Sequence, residues 1–167
     1  MKVAFIGHRD IEVTEALLQR LTETVASLIE EKSADTFLFG SKSDFNNLCY
    51  EAVTKLKENY PDIQRVYVMS AYQYDDETYT EYLSTHYDRT FYPKAVNGAG
   101  NRSHLKRNQA MIDLCDVLVT YYDKDYRMPT AFKKAGSLKI PIERKSDTEL
   151  AVVHAEKTGK EVINLFI

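Results

Sequence analysis

Lys2-Val3-Ala4-Phe5-Ile6-Gly7-His8-Arg9 is the stretch that decides how the rest of the chain is read. A short apolar run stopped by a glycine reads as a strand buried on both faces, the kind that parallel sheets use. Outward from it, Thr14 opens a helical pattern in which Leu17, Leu18, Leu21, Val25, Leu28 and Ile29 fall on one face. Thr14 itself suits the N-cap. Thr36-Phe37-Leu38-Phe39 is a second buried strand, closed by Gly40. Phe45, Leu48, Cys49, Ala52, Val53 and Leu56 then recur at helical spacing, and Pro61 ends that helical region. Arg65-Val66-Tyr67-Val68-Met69 is a third strand.

Beyond it the pattern is less regular. Seven of the 12 tyrosines lie between Tyr67 and Tyr92, around a short helix expected over 78–85. Such tyrosines suit base stacking, a protein interface, or a half-buried cover for the sheet edge. Residues 94–102 read as a loop containing Asn97-Gly98 and Gly100. A helix is expected over 104–115 and a strand over 116–121. Residues 123–145 form a mixed, mostly basic segment without a strong period. Ser146 opens a final helix, and 161–165 is the last strand.

Alternating strands and helices predict an α/β fold: a three-layer sandwich around a mostly parallel sheet of about five strands, with the first near its centre. At 167 residues, with neither linker nor repeat, residues 1–167 are expected to form a single domain. The net charge of −3 argues against nucleic-acid binding driven by a global basic field. No apolar run reaches the roughly 18 residues of a membrane span, and none at the start resembles a signal peptide. A cytoplasmic location without membrane contact is the expectation. Cys49 and Cys115 lack a metal or redox spacing and read as buried thiols. His8, His86, His104 and His154 stand far apart without carboxylate spacing, so no metal is expected.

Ligands of open parallel sheets bind beyond the carboxyl ends of the strands, and three segments should meet there. In Gly7-His8-Arg9 the glycine permits close backbone approach and the arginine offers a fork of donors to phosphate or carboxylate. Alternatively, Arg9 pairs with a nearby acid and His8 packs under the loop. In Gly40-Ser41-Lys42-Ser43-Asp44 the amides at a helix start favour an anion, unless Ser43 or Asp44 simply caps them. The Gly-Lys-Ser/Thr ending of a Walker loop is missing. Ser146-Asp147-Thr148-Glu149 is a capping box whose hydroxyls and amides also suit a phosphate or ribose. On the helix from His104, Asn108 shares a stripe with Leu105, Ile112 and Cys115. With Arg107 it makes either a pocket-facing pair or a core-bonded amide beside a surface arginine.

Taken in order, Val3 to Arg9, Phe39-Gly40 with Phe45-Asn46, Arg107-Asn108 through Asp113, Val117 through Asp123, and Lys145 to Thr148 followed by Val162 to Leu165 resemble the SLOG superfamily. Within it they are similar to the small stand-alone YpsA-like proteins of bacteria and their phages. The likeness spans nearly the whole chain. It implies a Rossmann-like fold with a pocket for a small nucleotide or nucleotide-derived ligand such as ADP-ribose or NAD, no resident cofactor, and a homo-oligomer. The family's Ser-Gly-Thr is Ser146-Asp147-Thr148 here, which sets a negative charge where a phosphate would approach. Its Phe-Asp is Phe45-Asn46, so a carboxylate role there passes to Asp44 or is lost.

Two other activities follow from relatives. LOG proteins cleave nucleoside monophosphates with a catalytic glutamate. Aligned on Thr148, that position holds Ala151, and Glu149 two residues earlier points elsewhere on the helix. DprA handles single-stranded DNA, but here basic residues gather only in 123–145. Binding or sensing without turnover is therefore the leading expectation, and no catalytic residue is assigned.

Overall fold

The computed structural model describes residues 1–71 and 77–167. Its main sheet has six strands, all parallel, in the order β4-β3-β2-β1-β5-β8. β1 (Lys2–Phe5) thus lies inside the sheet, flanked by β2 (Thr36–Phe39) and β5 (Val117–Thr120). Outside β2 come β3 (Gln64–Val68) and then β4 (Arg89–Phe91); outside β5 comes β8 (Glu161–Asn164). The chain runs outward from β1 to β4 and then returns to the far side of β1. That reversal makes the gap between β1 and β5 the topological switch point.

Alternation along the strands sorts the core into two layers. Val3, Phe5, Phe37, Phe39 and Val119 face α1 (Glu15–Lys32) and α2 (Asp44–Lys57), which bring Leu17, Leu21, Val25, Phe45 and Val53. Ala4, Ile6, Leu38, Val68 and Leu118 face α4 (Ser103–Leu114) and α5 (Asp147–Lys157), which bring Met111, Ile112, Ala151 and Ala155. The strands read as unbroken apolar runs because both faces are covered. Full burial of a side chain of the Leu or Phe class contributes about 1.5–3 kcal/mol. Cys49 and Cys115 are free and buried in these layers.

Local signals set the helix starts. Thr14 caps α1 by accepting from the Leu17 N–H at 3.1 Å. Ser43 caps α2 through the Asn46 N–H at 3.2 Å, and Ser146 caps α5 through the Glu149 N–H at 3.0 Å. The short helix expected over 78–85 is α3 (Glu77–His86), whose Leu83 enters the α1–α2 layer. Residues 94–102 hold two 3-10 turns, Lys94–Val96 and Gly100–Arg102. Tyr72 and Tyr74 of the tyrosine-rich stretch lie outside the described residues.

The mostly parallel sheet of about five strands is seen, with six, and two elements add to the sequence reading. β4 is only three residues long and all three are exposed, so it carries no apolar signature. The basic 123–145 segment contains an antiparallel hairpin of β6 (Ala131–Ala135) and β7 (Leu138–Ile142), separate from the main sheet. Lysines and apolar residues alternate poorly there, which hid the period of two. No helix among the described residues is long and apolar enough to cross a membrane.

Candidate functional site

The carboxyl ends of β1, β2 and β3 and the amino ends of α4 and α5 enclose a cleft of about 920 Å³. It opens at the switch point, where a doubly wound sheet leaves its strand ends uncovered. All three sequence segments reach it. Gly7, His8 and Arg9 line it from the turn after β1, and Gly40, Ser41 and Lys42 from the turn after β2. Arg107 and Asn108 line it from α4, and Ser146, Asp147 and Thr148 from α5. Asp44 and Glu149 do not. The Asp44 carboxylate accepts the Ile11 N–H at 3.4 Å, clipping the β1–α1 loop to α2. Glu149 turns back to Lys145 in an ion pair at 2.8 Å.

Arg107 dominates the floor. Its side chain is only 4% exposed, and its Nε donates to the Asn108 Oδ1 at 2.9 Å. The two Nη groups meet no acceptor, and the guanidinium no carboxylate in an ion pair, among the described residues. Burial pushes the guanidinium below its ordinary pKa; the nearby Tyr67, Asp147 and Tyr79 oppose that shift. An arginine so placed keeps its charge. A buried charge without a partner is costly, so an acceptor placed in the cleft would relieve that cost.

The glycines turn out to serve side chains of the protein itself. A Cβ on Gly40 would lie 2.6 Å from the Arg107 Cδ and 2.7 Å from the Met111 Sδ. A Cβ on Gly7 would lie 2.4 Å from the Phe45 Cδ1. Gly40 thus makes room for the arginine, and Gly7 lets α2 press against the end of β1. Neither has the positive φ that glycine alone tolerates well.

Asn46 changes the reading of the β2–α2 turn. It is 2% exposed and bridges two strand ends. Its Oδ1 accepts the N–H groups of Gly40 at 3.1 Å and Ser41 at 3.2 Å, while its Nδ2 donates to the Phe5 carbonyl at 3.0 Å. Two amides expected to face an anion are therefore occupied from within the protein. An aspartate could repeat the two acceptances but could not donate to Phe5, so the amide at this position does structural work that a carboxylate cannot. The turn still presents the Ser41 and Ser43 hydroxyls, 2.9 Å apart, and the Lys42 ammonium, which lies 5.0 Å from the Tyr79 ring centroid.

His8 is 5% exposed. Its Nε2 accepts the Asp123 N–H at 3.1 Å, and its ring packs on Tyr126 with centroids 4.3 Å apart. Burial lowers its pKa from 6.5, against smaller upward effects of Asp123, which suits the neutral acceptor role. Arg9 is exposed and makes no ion pair among the described residues, so the alternative pairing with a nearby acid is not seen there. Sequence reasoning passed over Tyr67, Tyr79 and the Tyr126-to-Pro129 wall of the cleft. The tyrosine richness was a visible signal, but which members face the strand ends depends on the fold. The Tyr79 hydroxyl bonds that of Tyr67, and burial with this bond raises the Tyr79 pKa.

His154 forms a surface pair with Asp113 at 2.7 Å. Ala151 is 2% exposed within the α4–α5 layer, so the position of the LOG glutamate is a packing site here. Among the described residues, no cluster of three His, Cys, Asp or Glu side chains is placed to hold a metal ion.

The comparison with curated proteins gives no match. Among protein-family models, YpsA, described as the YspA SLOG family, matches residues 6–158. That span contains the switch-point turn, Arg107 and all of α5, and the chain belongs to the YspA SLOG family.

Proposed function

We propose that the cleft binds a small nucleotide or nucleotide-derived ligand, ADP-ribose-like or NAD-like, and holds one of its anionic groups against Arg107. The observation that carries this reading is the buried guanidinium lining the cleft, whose Nη groups meet no acceptor among the described residues. Arg9 and Lys42 add positive charge at the mouth, and the Ser41–Ser43 hydroxyl pair, bonded to each other, leaves one O–H donor for a ligand. Tyr67 and Tyr79 offer an aromatic wall for a base or ribose. The volume matches ligand pockets of roughly 300–1,000 Å³. Family membership supports a nucleotide-related role. Asp147 at the mouth disfavours a second phosphate beside α5 and favours a ribose hydroxyl, which a carboxylate accepts well.

Binding without turnover is the favoured form, because Ala151 is a core residue and Glu149 is engaged by Lys145. The test is a thermal-shift screen with AMP, ADP-ribose, NAD and cyclic nucleotides, followed by calorimetry. A ligand at about 100 times its Kd stabilises by roughly 2.7 kcal/mol, which raises Tm by about 5–10 °C in a chain of this size. Absence of any shift at millimolar ligand would defeat the proposal. Release of free base from AMP, lost in Glu149→Gln, would convert the reading to N-glycosidic cleavage.

A further inference from the structure

The β6–β7 hairpin is the part of the molecule least explained by its own fold. Neither strand forms a packing interface with a helix or with the main sheet among the described residues. Leu138 is 68% exposed, Ile140 48% and Ile142 38%, while Phe132, 58% exposed, stands on the opposite face of the hairpin. The register places Ile142, Ile140 and Leu138 opposite Ala131, Lys133 and Ala135, so these share one face. On the other face Lys134 stands directly opposite Lys139. Like charges opposite each other destabilise a strand pair, and an isolated two-stranded hairpin is marginal in water. A basic hairpin with a bare apolar face gains stability from a partner that is both apolar and acidic.

This chain supplies such a surface. From Asp10 to Leu18 the exposed residues include Asp10, Glu12 and Glu15, with Val13 (55%) and Leu18 (39%) between and beside them. No cation interrupts that stretch. Charge complementarity holds on the larger scale too. Residues 123–145 carry seven cations and three acids, a net +4, in a chain whose total is −3, which leaves −7 on the remainder. Arm-to-arm contact would oppose two positive surfaces, whereas arm-to-body contact pairs opposite signs.

We propose that the hairpin is a docking arm that seats on the Asp10–Leu18 rim of a second copy of this chain. Reciprocal exchange of two arms gives a closed, two-fold dimer. The roots of the arm belong to the cleft: Met128 and Pro129 line it on one side, Ser146 and Asp147 on the other. Asp10 of the receiving rim lines it as well. Arm exchange therefore sets a second copy beside each cleft and links assembly to the site.

Sedimentation velocity on the full chain tests this. The expected result is a dimer at roughly 10–100 µM, weakened by added salt as screening predicts. Leu138→Asp with Ile140→Asp, both exposed and outside the core, should raise the dimer dissociation constant at least about tenfold while leaving the unfolding midpoint unchanged. Lys133→Glu, which lies on the apolar face, or Glu12→Lys should each weaken it several-fold, and the two changes together should restore it. A monomer at about 100 µM, a dimer indifferent to the arm substitutions, or a failure of the combined charge swap to restore association overturns the proposal. So does a monomer that instead binds anionic vesicles through the arm.

Discussion

The two edges of the sheet treat charge in opposite ways. At the amino ends of the strands, charges are matched one to another. The amino terminus meets Asp35 at 3.4 Å, Lys32 meets Glu161 at 2.6 Å, and the Asp116 carboxylate accepts the Lys2 N–H at 2.8 Å. Arg65 is held by Asp88 at 3.1 Å, by the Thr54 hydroxyl at 3.1 Å and over the Tyr50 ring. At the carboxyl ends, Arg9, Lys42 and Arg107 have no acid in ion-pair contact among the described residues. Arg65 and Arg107 are both largely buried, yet only Arg65 is neutralised by the protein. Separate ion pairs and carboxylate–amide bonds fasten the strand starts. The cations above the opposite strand ends have no such partner among the described residues, and the proposed function rests on that contrast.

The largest expected effect breaks the comparison at Arg107. Arg107→Met should weaken binding of the anionic ligand by about 100-fold or more, measured by calorimetry. The same change should leave chemical-denaturation stability unchanged or raised, since it removes an unpaired buried charge. A clear loss of stability would show that Arg107 is a structural arginine like Arg65.

The reciprocal change sharpens the contrast. Arg65→Met leaves the Asp88 carboxylate with Lys57 alone, at 3.5 Å, and should cost about 2 kcal/mol, less than loss of a fully buried pair because both partners keep some exposure. Ligand affinity should not move. The pH profile should follow. Burial raises the Asp88 pKa, but hydrogen bonds from Arg65 and the charge of Lys57 outweigh that and leave it below 3.8. The stabilisation is thus complete above about 3.8 and is lost as pH falls through the lower folded value. Denaturant titrations of wild type and Arg65→Met should converge in that acid window.

Gly40→Ala tests the space beneath the cleft. The added methyl collides with Arg107 and Met111, so a cost of about 1–3 kcal/mol is expected. Affinity should fall together with stability, unlike in either arginine variant.

The smallest effect concerns His8. Burial lowers its pKa, so the unfolded chain binds the proton more readily. Its contribution is fully present above about pH 6.5 and is lost as pH drops from there toward the lower folded pKa. Hydrogen exchange at the Asp123 amide should accelerate over that range, and His8→Asn should remove the pH dependence.

Much of the fold was legible because it rests on local patterns. The apolar runs at Val3, Phe37 and Val66, the periodic faces of α1 and α2, and the caps at Thr14, Ser43 and Ser146 all express short-range preferences. β4 was not, since three exposed residues leave no hydrophobic record and pair only because β3 is beside them. The hairpin escaped because its apolar residues face outward, against the rule used to find strands. Within the site, the segments were visible as glycine turns and helix starts, while Asn46 and Tyr79 depended on which strand ends stand together.

By itself, the sequence determined the layering and the edge at which these turns gather, because hydrophobic period and capping act over a few residues. It did not determine that Arg107 is buried without an acid while Arg65 has one. The partner lies 23 residues away for Arg65, and among the described residues none is in ion-pair contact with Arg107; only packing of the strands and α4 sets such distances. Electrostatic pairing inside a protein is a property of the assembled space, in which burial strengthens each charge and removes the water that would otherwise answer it.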